Sequence, residues 1–349
     1  MNHFTNHIIP ENTTIREALV RLNTIGDVFL ILFVTDIKGK MLGTITDGDI
    51  RRALILGANM EDTVITSIYK NFRFKRQNDF TLQQFKSYKD EGINLLPILD
   101  EENNIIGIKN LQELQSLLPI DVVIMAGGQG QRLRPLTENT PKPLLKVGDK
   151  PIIEHNIDRL VKFGIQNIYI TLRYLGQQIE DYFGDGSSKN TSINYVTEVE
   201  ELGTIGAVGL FKDFQNDAVL IMNSDLLTNI DYEDFYINFV ETKTDMLVAA
   251  VPYSVKIPYA VLETEGSVVK RFAEKPTYTY HSNAGIYLIK REFLDRISGQ
   301  SKYHATDFMQ QLINEGCNVQ TYPLMEYWLD IGRHEDFKKA QEAIRHIKL

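Results

Sequence analysis

Residues 121–145 read DVVIMAGGQGQRLRPLTENTPKPLL, and this stretch decides the fold of the chain. Its first part, 122–126, is a short apolar run, which predicts a strand buried on both faces of a parallel sheet. The strand ends in a glycine-rich loop, 127–130, whose bare backbone N–H groups can approach an anion. Fixed positive charge follows at Arg132, Arg134, Lys142 and Lys146. The stretch predicts a cradle for the phosphates of a nucleotide, and a tight turn that binds no ligand is the alternative.

Two better-known glycine motifs do not fit this loop. A P-loop closes with Gly-Lys-Ser or Gly-Lys-Thr, and neither tripeptide follows the strand. A dinucleotide-binding fingerprint requires a third glycine, and Leu133 stands at that position. The loop therefore favours neither a P-loop enzyme nor a hydride-transfer enzyme.

The composition is that of an ordinary globular protein with about two domains, because 43% of the 349 residues are apolar and 24% are charged. The net charge of −9 disfavours binding to nucleic acid or to an anionic membrane. The longest apolar run, 28–34, is too short to cross a bilayer, and residues 1–4 lack a secretory pattern. We expect a cytoplasmic protein whose partners include neither nucleic acid nor a membrane.

Cysteine and histidine predict no metal centre. Cys317 is the single cysteine, which excludes an internal disulfide and a thiolate cluster. His3 and His7 share a helical spacing, but a polar N-terminal tail is the predicted explanation. The carboxylates are therefore the candidate metal ligands.

Residues 1–118 contain an internal repeat with a period of about sixty residues, which predicts a separate module. Its predicted elements are helices at 15–22, 80–88 and 109–118, strands at 29–34, 95–99 and 105–108, and a strand leading into a helix over 41–52. Pro119 ends the last helix, so we place the domain boundary between 118 and 119.

Residues 119–349 alternate between strand and helix patterns, which predicts an α/β fold with a mostly parallel, Rossmann-like sheet. A helix is predicted to start at Pro151, and a buried strand is predicted at 218–222. Asp225 follows that strand closely, and open α/β sheets bind ligands at the carboxyl ends of their strands. Since a carboxylate is costly there unless it meets a cation, Asp225 is a candidate metal ligand.

The pattern G-x-G-x-R-L-R-P-L-T at 128–137, followed by P-K-P-L at 141–144, resembles the opening of the sugar-1-phosphate nucleotidylyltransferases. Later pieces match in the same order, so the resemblance extends over about 121–349. It implies transfer of a nucleoside monophosphate to a sugar-1-phosphate, with release of pyrophosphate and with Mg²⁺ as cofactor. In place of the glycine that the family usually has before its metal-binding Asp, this chain has Ser224.

The resemblance implies a role for each matching residue. The nucleotide contacts that it implies are Ala126, Gly127, Gly128, Gly130, Glu198 and Gly203. The catalytic residues that it implies are Arg132, Lys142, Asp225 and Lys275. Asp225 and Asp330 would bind Mg²⁺, and one or two carboxylates together with substrate phosphates are a usual magnesium arrangement.

The resemblance places Glu198 at the nucleobase. A carboxylate accepts two N–H bonds, which the N1–H and N2–H₂ edge of guanine offers, whereas uracil and thymine offer one N–H there. This favours GTP as the donor. The alternative function is that of a uridylyl- or thymidylyltransferase. The alternative explanation of Glu198 is that its side chain only faces solvent and contacts no base.

The sugar contacts implied by the resemblance are Glu274 for the hydroxyls, Lys275 for the phosphate and Asn283 for the ring. Tyr259 lies in the sequence Pro-Tyr-Ala, where the family commonly has Pro-Tyr-Gly, and the added methyl of Ala260 would narrow the sugar pocket. The acceptor therefore stays open between mannose-1-phosphate and an amino- or N-acetylamino-hexose phosphate.

The segments LGTITDGDIRRAL at 42–54 and LLPILDEENNIIGI at 95–108 resemble a tandem pair of CBS modules. This resemblance implies an adenine nucleotide at Thr46 and Asp49, and it implies a homo-oligomer. The second repeat has Asn110 and Glu113 at the matching positions, which departs from the pattern. A module that only packs and dimerises is the alternative.

A nucleotide-sensing regulatory protein with a relic transferase domain is the competing interpretation of the whole chain. Decay would be expected to remove at least one member of the implied transferase set. Five of its charged members are present together, namely Arg132, Lys142, Asp225, Lys275 and Asp330. Their joint presence favours an enzyme.

Overall fold

The computed structural model describes residues 5–26, 29–76 and 81–347. The chain folds as two units, Met1–Leu117 and Leu118–Leu349. His3, Val28 and Phe80, which the sequence predictions include, lie outside the described residues. Within the described ranges, no helix is both long and apolar enough to span a membrane.

The first unit confirms the internal repeat. In chain order its elements are β1 (Ile8–Pro10), α1 (Ile15–Ile25), β2 (Ile31–Thr35), β3 (Met41–Thr46), α2 (Asp47–Ile55), β4 (Lys75–Arg76), α3 (Leu82–Asp90), β5 (Leu95–Leu99) and β6 (Ile105–Asn110). They form two three-stranded sheets of the same design, β1-β2-β3 and β4-β5-β6. In each sheet the first pair of strands is parallel and the second is antiparallel.

The predicted helix over 109–118 is wrong. Residues 105–110 are strand β6, and a turn follows in which the Asn110 side chain accepts from the backbone N–H of Gln112 at 3.0 Å. Such local bonds of an Asn side chain compete with helix formation. The apolar spacing has another cause, because Leu111, Leu114 and Leu117 pack with Phe85 in a buried cluster.

The N-terminal segment is not a polar tail at His7, so that prediction is also wrong. The His7 side chain is buried, and its Nδ1 lies 2.9 Å from the carbonyl oxygen of Ile31. Burial of a histidine requires such a partner for its ring nitrogen, so the segment is fastened to the start of β2.

The second unit continues the numbering with β7 (Ile120–Met125), β8 (Lys146–Val147), β9 (Lys150–Pro151), α4 (Ile152–Lys162), β10 (Asn167–Leu172), α5 (Gln177–Phe183), β11 (Ser192–Thr197), β12 (Ala218–Asn223), β13 (Leu226–Thr228), α6 (Tyr232–Glu241), β14 (Met246–Lys256), β15 (Val261–Glu265), β16 (Val268–Ala273), β17 (Thr277–Lys290), α7 (Arg291–Leu294), α8 (Ala305–Asn314), β18 (Val319–Pro323), β19 (Trp328–Asp330) and α9 (His334–Ala343).

A seven-stranded sheet in the order β11-β10-β7-β12-β17-β14-β18 forms the centre of the second unit. Every adjacent pair is parallel except the two pairs that include β17. This confirms the predicted α/β fold with a mostly parallel sheet. Strand β7 lies in the middle of the sheet, and Val122, Val123 and Ile124 have no exposed surface, as the apolar run predicts.

The start of β7 is fixed by the fully buried carboxylate of Asp121. Its oxygens accept from the backbone N–H groups of Gln215 at 2.6 Å and of Asn216 at 2.8 Å. They also accept from the side-chain amides of Asn167 at 3.0 Å and of Asn216 at 2.8 Å. Because a buried charge is tolerated when hydrogen bonds surround it, Asp121 holds the loop before β12 against β7.

Replacing Asp121 with alanine is expected to destabilise the second unit. Leaving buried donors without an acceptor costs about 1–3 kcal/mol. Urea unfolding of the full chain measures this, and the fluorescence of Trp328, the single tryptophan, reports on the second unit.

Asp217→Ala is the matched control, because this carboxylate is 98% exposed and forms only a surface ion pair with Arg291. Its effect is expected to stay within about 0.5 kcal/mol. Equal shifts of the unfolding midpoint in the two variants would contradict the structural role of Asp121.

Candidate functional site

A cavity of about 690 Å³ opens where β7, β10 and β12 end. These parallel strands direct their carboxyl ends to the same edge of the sheet, which is where open α/β sheets bind ligands. The residues that line the cavity are Met125, Gly127, Gly128, Gln129, Gly130, Gln131, Arg132, Lys142, Pro143, Thr171, Arg173, Glu198, Glu201, Gly203, Thr204, Ile205, Ala207, Val208, Asn223, Ser224, Asp225, His304 and Gly332.

The predicted glycine cradle forms one wall of this cavity. A Cβ at Gly127 would lie 2.4 Å from Oε1 of Glu198, so a side chain there would displace the Glu198 carboxylate. Gly130 has a φ of +62°, a conformation that favours glycine. Ala126 lies behind the loop, buried, and its backbone N–H donates to the carbonyl of Thr171 at 3.1 Å.

Leu133, which stands where the dinucleotide fingerprint requires its third glycine, is part of the hydrophobic core. The loop leads into a short 3-10 helix, Gln131–Leu133, and the Leu133 side chain is fully buried with Ile152, Leu227 and Ile331. A third glycine would leave a hole in this cluster. The same helix directs Arg132, its middle residue, to the cavity.

Asp225 and Asp330 are distant in the sequence, and the pairing of two short strands brings them together. Strands β13 and β19 are antiparallel, with Leu226 opposite Asp330. The backbone N–H of Ile331 donates to the carbonyl of Asp225 at 3.1 Å. Two carboxylates are therefore held close together, and of the two it is Asp225 that lines the cavity.

The environment of Asp330 is unfavourable for its own negative charge. Burial and the neighbouring charge of Asp225 raise the pKa of Asp330, while the positive charges of Lys142 and Arg132 oppose this rise. Its Oδ1 is buried and has no hydrogen-bond partner among the described residues. A buried oxygen without a partner requires an explanation, and a cation is the species that such an oxygen attracts.

Two basic side chains converge on this pair of carboxylates. The ammonium of Lys142 bonds to Oδ2 of Asp225, and both side chains are largely buried. A Cβ at Gly332 would lie 3.5 Å from both Nη2 of Arg132 and Oδ1 of Asp330, so these two groups flank the same glycine. The structure thus brings together four residues that the sequence predicted separately.

The donor set fits a divalent cation whose coordination is completed by phosphate oxygens. Two carboxylates suffice for such a site, because Mg²⁺ commonly keeps waters and binds substrate phosphates. Over residues 5–26, 29–76 and 81–347, no group of three or more His, Cys, Asp or Glu side chains forms a self-sufficient metal centre.

Strands β13 and β19 are held in place by residues that the sequence predictions missed. Asn156 in α4 is buried, and its Nδ2 donates to the carbonyl of Leu226 at 2.9 Å. Trp328 Nε1 donates to the carbonyl of Ala284 at 2.9 Å, which ties β19 to β17. A polar residue within the apolar stripe of a helix is the signal that points to Asn156.

Glu198 also lines the cavity. Its side chain is buried, and Oε2 accepts from the backbone N–H of Leu202 at 3.1 Å. Burial raises the pKa of Glu198, and the Leu202 N–H together with the charge of Arg173 limits the rise. Glu198 is thus not the solvent-facing residue of the alternative prediction.

The loop after Glu198 packs closely on another segment. Gly203 has a φ of +79°, and a Cβ there would lie 2.5 Å from the carbonyl oxygen of Tyr303. The backbone N–H of Tyr303 donates to the carbonyl of Leu202 at 2.9 Å. The backbone of Gly203 is therefore held at the cavity by direct packing against a second chain segment.

The sequence predictions also missed several lining residues. Arg173, Glu201, Asn223 and His304 all contribute to the cavity wall. Arg173 follows β10 immediately, so it has the same signal as Asp225, namely a charged residue just after a buried parallel strand. That signal was available in the sequence.

The predicted sugar contacts lie elsewhere. Beyond the central sheet, the outer parts of β14 and β17 pair with each other, and β15 pairs with β16, which makes a largely exposed β-ribbon over residues 252–283. Tyr259, Glu274 and Lys275 are exposed on this ribbon. None of the three is among the residues that line the described cavity.

Asn283 is the predicted sugar contact nearest to the cavity. Its Oδ1 accepts from the N–H of Gly285 at 2.9 Å, and its Nδ2 donates to the hydroxyl of Tyr287 at 2.8 Å. A Cβ at Gly285 would lie 2.5 Å from Nδ2 of Asn223, a residue of the cavity wall. The Asn-Ala-Gly segment of β17 thus packs against Asn223 in the cavity wall.

Thr46 and Asp49 in the first unit bond to each other. Thr46 is the N-cap of α2, and its hydroxyl accepts from the N–H of Asp49 at 3.2 Å. The carboxylate of Asp49 accepts in return from the N–H of Thr46 at 2.9 Å. The pair therefore forms a capping box, which needs no ligand to account for it.

Two family models match the chain. A model described as Nucleotidyl transferase matches residues 121–346, and one described as CBS domain matches residues 5–56. Mannose-1-phosphate guanylyltransferase of Mycobacterium tuberculosis is 32% identical over 65% of this chain and 66% of that protein. D-glycero-alpha-D-manno-heptose 1-phosphate guanylyltransferase of Aneurinibacillus thermoaerophilus is 31% identical over 65% of this chain and 99% of that protein. The chain spans two thirds or less of the length of several curated relatives, down to 54% for the bifunctional protein GlmU of Methanocaldococcus jannaschii.

Solved structures agree with these matches. HddC from Yersinia pseudotuberculosis has a TM-score of 0.51 and 26% identity to this chain, and the match covers 64% of this chain and 99% of HddC. HddC complexed with GMP-PN gives the same TM-score at 25% identity. The nucleotidyl transferase model covers well over half of the sequence. This chain therefore belongs to the nucleotidyl transferase family, and a CBS domain precedes its transferase region.

Proposed function

We propose that the chain transfers GMP from GTP to a hexose- or heptose-1-phosphate and releases pyrophosphate. The observation that carries this proposal is the convergence of Asp225, Lys142 and Arg132 in the wall of a glycine-lined cavity, with Asp330 next to them. The names of two relatives support the same reaction, since one acts on mannose-1-phosphate and the other on a manno-heptose 1-phosphate, both as guanylyltransferases.

The reaction forms a bond between an oxygen of the sugar phosphate and the α-phosphorus of GTP. The bond from that phosphorus to the β-phosphate bridging oxygen breaks, and pyrophosphate leaves. The attacking oxygen is already an anion, so no general base is required. The protein must instead position two anions that repel each other and neutralise the charge on the phosphates.

The residues of the cavity suit that task. The backbone of Gly128 and Gly130 would hold the triphosphate, and Arg132 would neutralise the leaving pyrophosphate. Lys142, bonded to Asp225, would face the α- and β-phosphates. Lys275 and Glu274 lie on the β-ribbon and not in the cavity wall, so their proposed contacts with the acceptor sugar phosphate rest on the sequence resemblance.

Asp225 and Asp330 would hold Mg²⁺, with Oδ1 of Asp330 as the available ligand atom. When bound, Mg²⁺ supplies charge neutralisation at the phosphate oxygens. The two aspartates orient the site, because strand pairing fixes their backbones before any substrate arrives.

A pyrophosphate-release assay tests the proposal. GTP, ATP, UTP, dTTP and CTP are each combined with mannose-, glucose-, N-acetylglucosamine- and manno-heptose-1-phosphate. The proposal expects the highest kcat/KM for GTP with a manno-configured acceptor. Preference for UTP or dTTP would contradict the choice of base. No release with any pair would contradict the transfer reaction and favour a regulatory protein with a relic transferase domain.

Asp330→Asn is expected to lower kcat/KM by about 100-fold or more while stabilising the substrate-free protein. The loss follows from removing one charged ligand for the cation. The gain in stability follows because the raised pKa of Asp330 shows that its charge is disfavoured in the folded state. Pyrophosphate release and urea unfolding measure the two effects.

Asp217→Asn, which changes an exposed carboxylate outside the cavity, is the control and is expected to leave both measurements unchanged. If Asp330→Asn destabilised the protein as Asp121→Ala does, Asp330 would be a structural carboxylate and the proposed metal site would be wrong.

We also propose that the first unit binds an adenine nucleotide at Thr46 and Asp49. Thr14 and Glu17 form a second capping box in the same unit, which offers a matched control. Thr46→Ala and Thr14→Ala should each cost about 1 kcal/mol of stability by loss of a cap. Isothermal titration calorimetry of the full chain with AMP should show binding in the wild type and in Thr14→Ala only. Absence of heat in the wild type, or equal heat in all three proteins, would contradict a nucleotide site at Thr46.

A further inference from the structure

Arg173 is a cationic residue of the cavity to which the proposed reaction assigns no role. It follows β10, lines the cavity, and has a side chain that is 28% exposed. A Cβ built on Gly127 would lie 3.5 Å from Cβ of Arg173 and 2.4 Å from Oε1 of Glu198. Arg173 and Glu198 therefore flank the same glycine at the nucleobase end of the cavity.

The guanidinium of Arg173 is not held in a short ion pair. Among the described residues its nearest carboxylate contact, from Nη1 to Oε2 of Glu201, measures 3.9 Å, which is too long for a hydrogen bond. Glu201 is instead bonded through Oε1 to Nζ of Lys302 at 2.8 Å. The N–H donors of Arg173 are thus available to a molecule in the cavity.

Guanine presents donors and acceptors on adjacent atoms. Its N1–H and N2–H₂ are donors, which suit the carboxylate of Glu198, whereas its O6 and N7 are acceptors, which a carboxylate cannot satisfy. An arginine fork satisfies O6 and N7 with two parallel bonds, and adenine carries a donor where guanine carries O6. One acidic and one basic side chain on the same wall therefore match guanine better than adenine.

We propose that Arg173 determines base specificity by donating to O6 and N7 of guanine while Glu198 accepts from N1–H and N2–H₂. This inference rests on the proposed function, because it takes GTP as the donor substrate. Arg173 touches the base and not the reacting phosphates. Its removal should therefore act on the affinity for GTP and leave the chemical step nearly unchanged.

The test compares GTP with two analogues, 7-deaza-GTP, which lacks N7, and ITP, which lacks the N2 amino group. Dissociation constants are measured by calorimetry on the full chain without sugar phosphate, and KM and kcat are measured by pyrophosphate release. The wild type should bind 7-deaza-GTP and ITP each about tenfold more weakly than GTP.

The variants should separate the two contacts. Arg173→Leu should raise KM for GTP about tenfold or more with little change in kcat, and should lose the preference for GTP over 7-deaza-GTP. It should keep the preference for GTP over ITP. Glu198→Gln should lose the preference for GTP over ITP and keep the preference for GTP over 7-deaza-GTP. Lys302→Leu, which removes the other cation near Glu201, is the control and should keep both preferences.

Arg173→Leu that still prefers GTP over 7-deaza-GTP would overturn the inference, as would a wild type that does not distinguish the two nucleotides. A wild type that prefers UTP or dTTP would overturn it too, while transfer itself stands. If the wild type released no pyrophosphate but showed the expected pattern of dissociation constants, the proposed reaction would fail and the assignment of Arg173 would be supported.

Discussion

The site depends on the pairing of two short strands, β13 and β19, which holds two carboxylates together against their mutual repulsion. Strand pairing supplies this constraint through backbone bonds, so the arrangement does not depend on attraction between the side chains themselves. The electrostatic cost of this arrangement falls on Asp330, because burial and the charge of Asp225 raise the pKa of its carboxyl group. Asn156 and Trp328 bond to the backbone of neighbouring residues and keep both strands in register with the larger fold. The backbone of the second unit therefore keeps two carboxylates close together, and this is the arrangement that our proposed cation would stabilise.

The central sheet determines what else meets this pair. Because β7, β10 and β12 are parallel neighbours, the loops that follow them converge at one edge. The loop after β7 brings a glycine wall and Arg132, the residue after β10 is Arg173, and the turn after β12 carries Asp225. Arg132, Arg173 and Asp225 therefore come from separate parts of the sequence, and each one follows a buried strand of the central sheet. Buried strands followed by charged residues thus account for much of the charge in the cavity wall.

The parts of the fold with a strong local pattern were predictable. The run 122–126 and its glycines predicted the central strand and the cavity wall, and Asp225 was found because it follows a buried strand. The helix predicted over 109–118 failed because an apolar spacing records burial and not backbone conformation, and Asn110 stabilises a turn there. Arg173, like Asp225, is a charged residue just after a buried strand. The sequence predictions did not include it, because most arginines lie on the protein surface without a specific role. The β-ribbon positions of Tyr259, Glu274 and Lys275 depend on how far β14 and β17 extend beyond the sheet, which no local pattern specifies.

Three aspartates show that the partners of a carboxylate, and not its burial, separate structural from functional roles. Asp121 is fully buried and accepts four hydrogen bonds, so its charge is already compensated by the fold. Asp49 is compensated locally, because the N–H and hydroxyl of Thr46 both donate to its carboxylate. Asp330 has a buried oxygen without a partner among the described residues and lies beside a second negative charge. A cation is the species that such an oxygen attracts, which is why we propose Asp330 as a metal ligand. Of these three aspartates, Asp330 is the one with a side-chain oxygen that is buried without a partner among the described residues, and the sequence pattern alone does not reveal this difference.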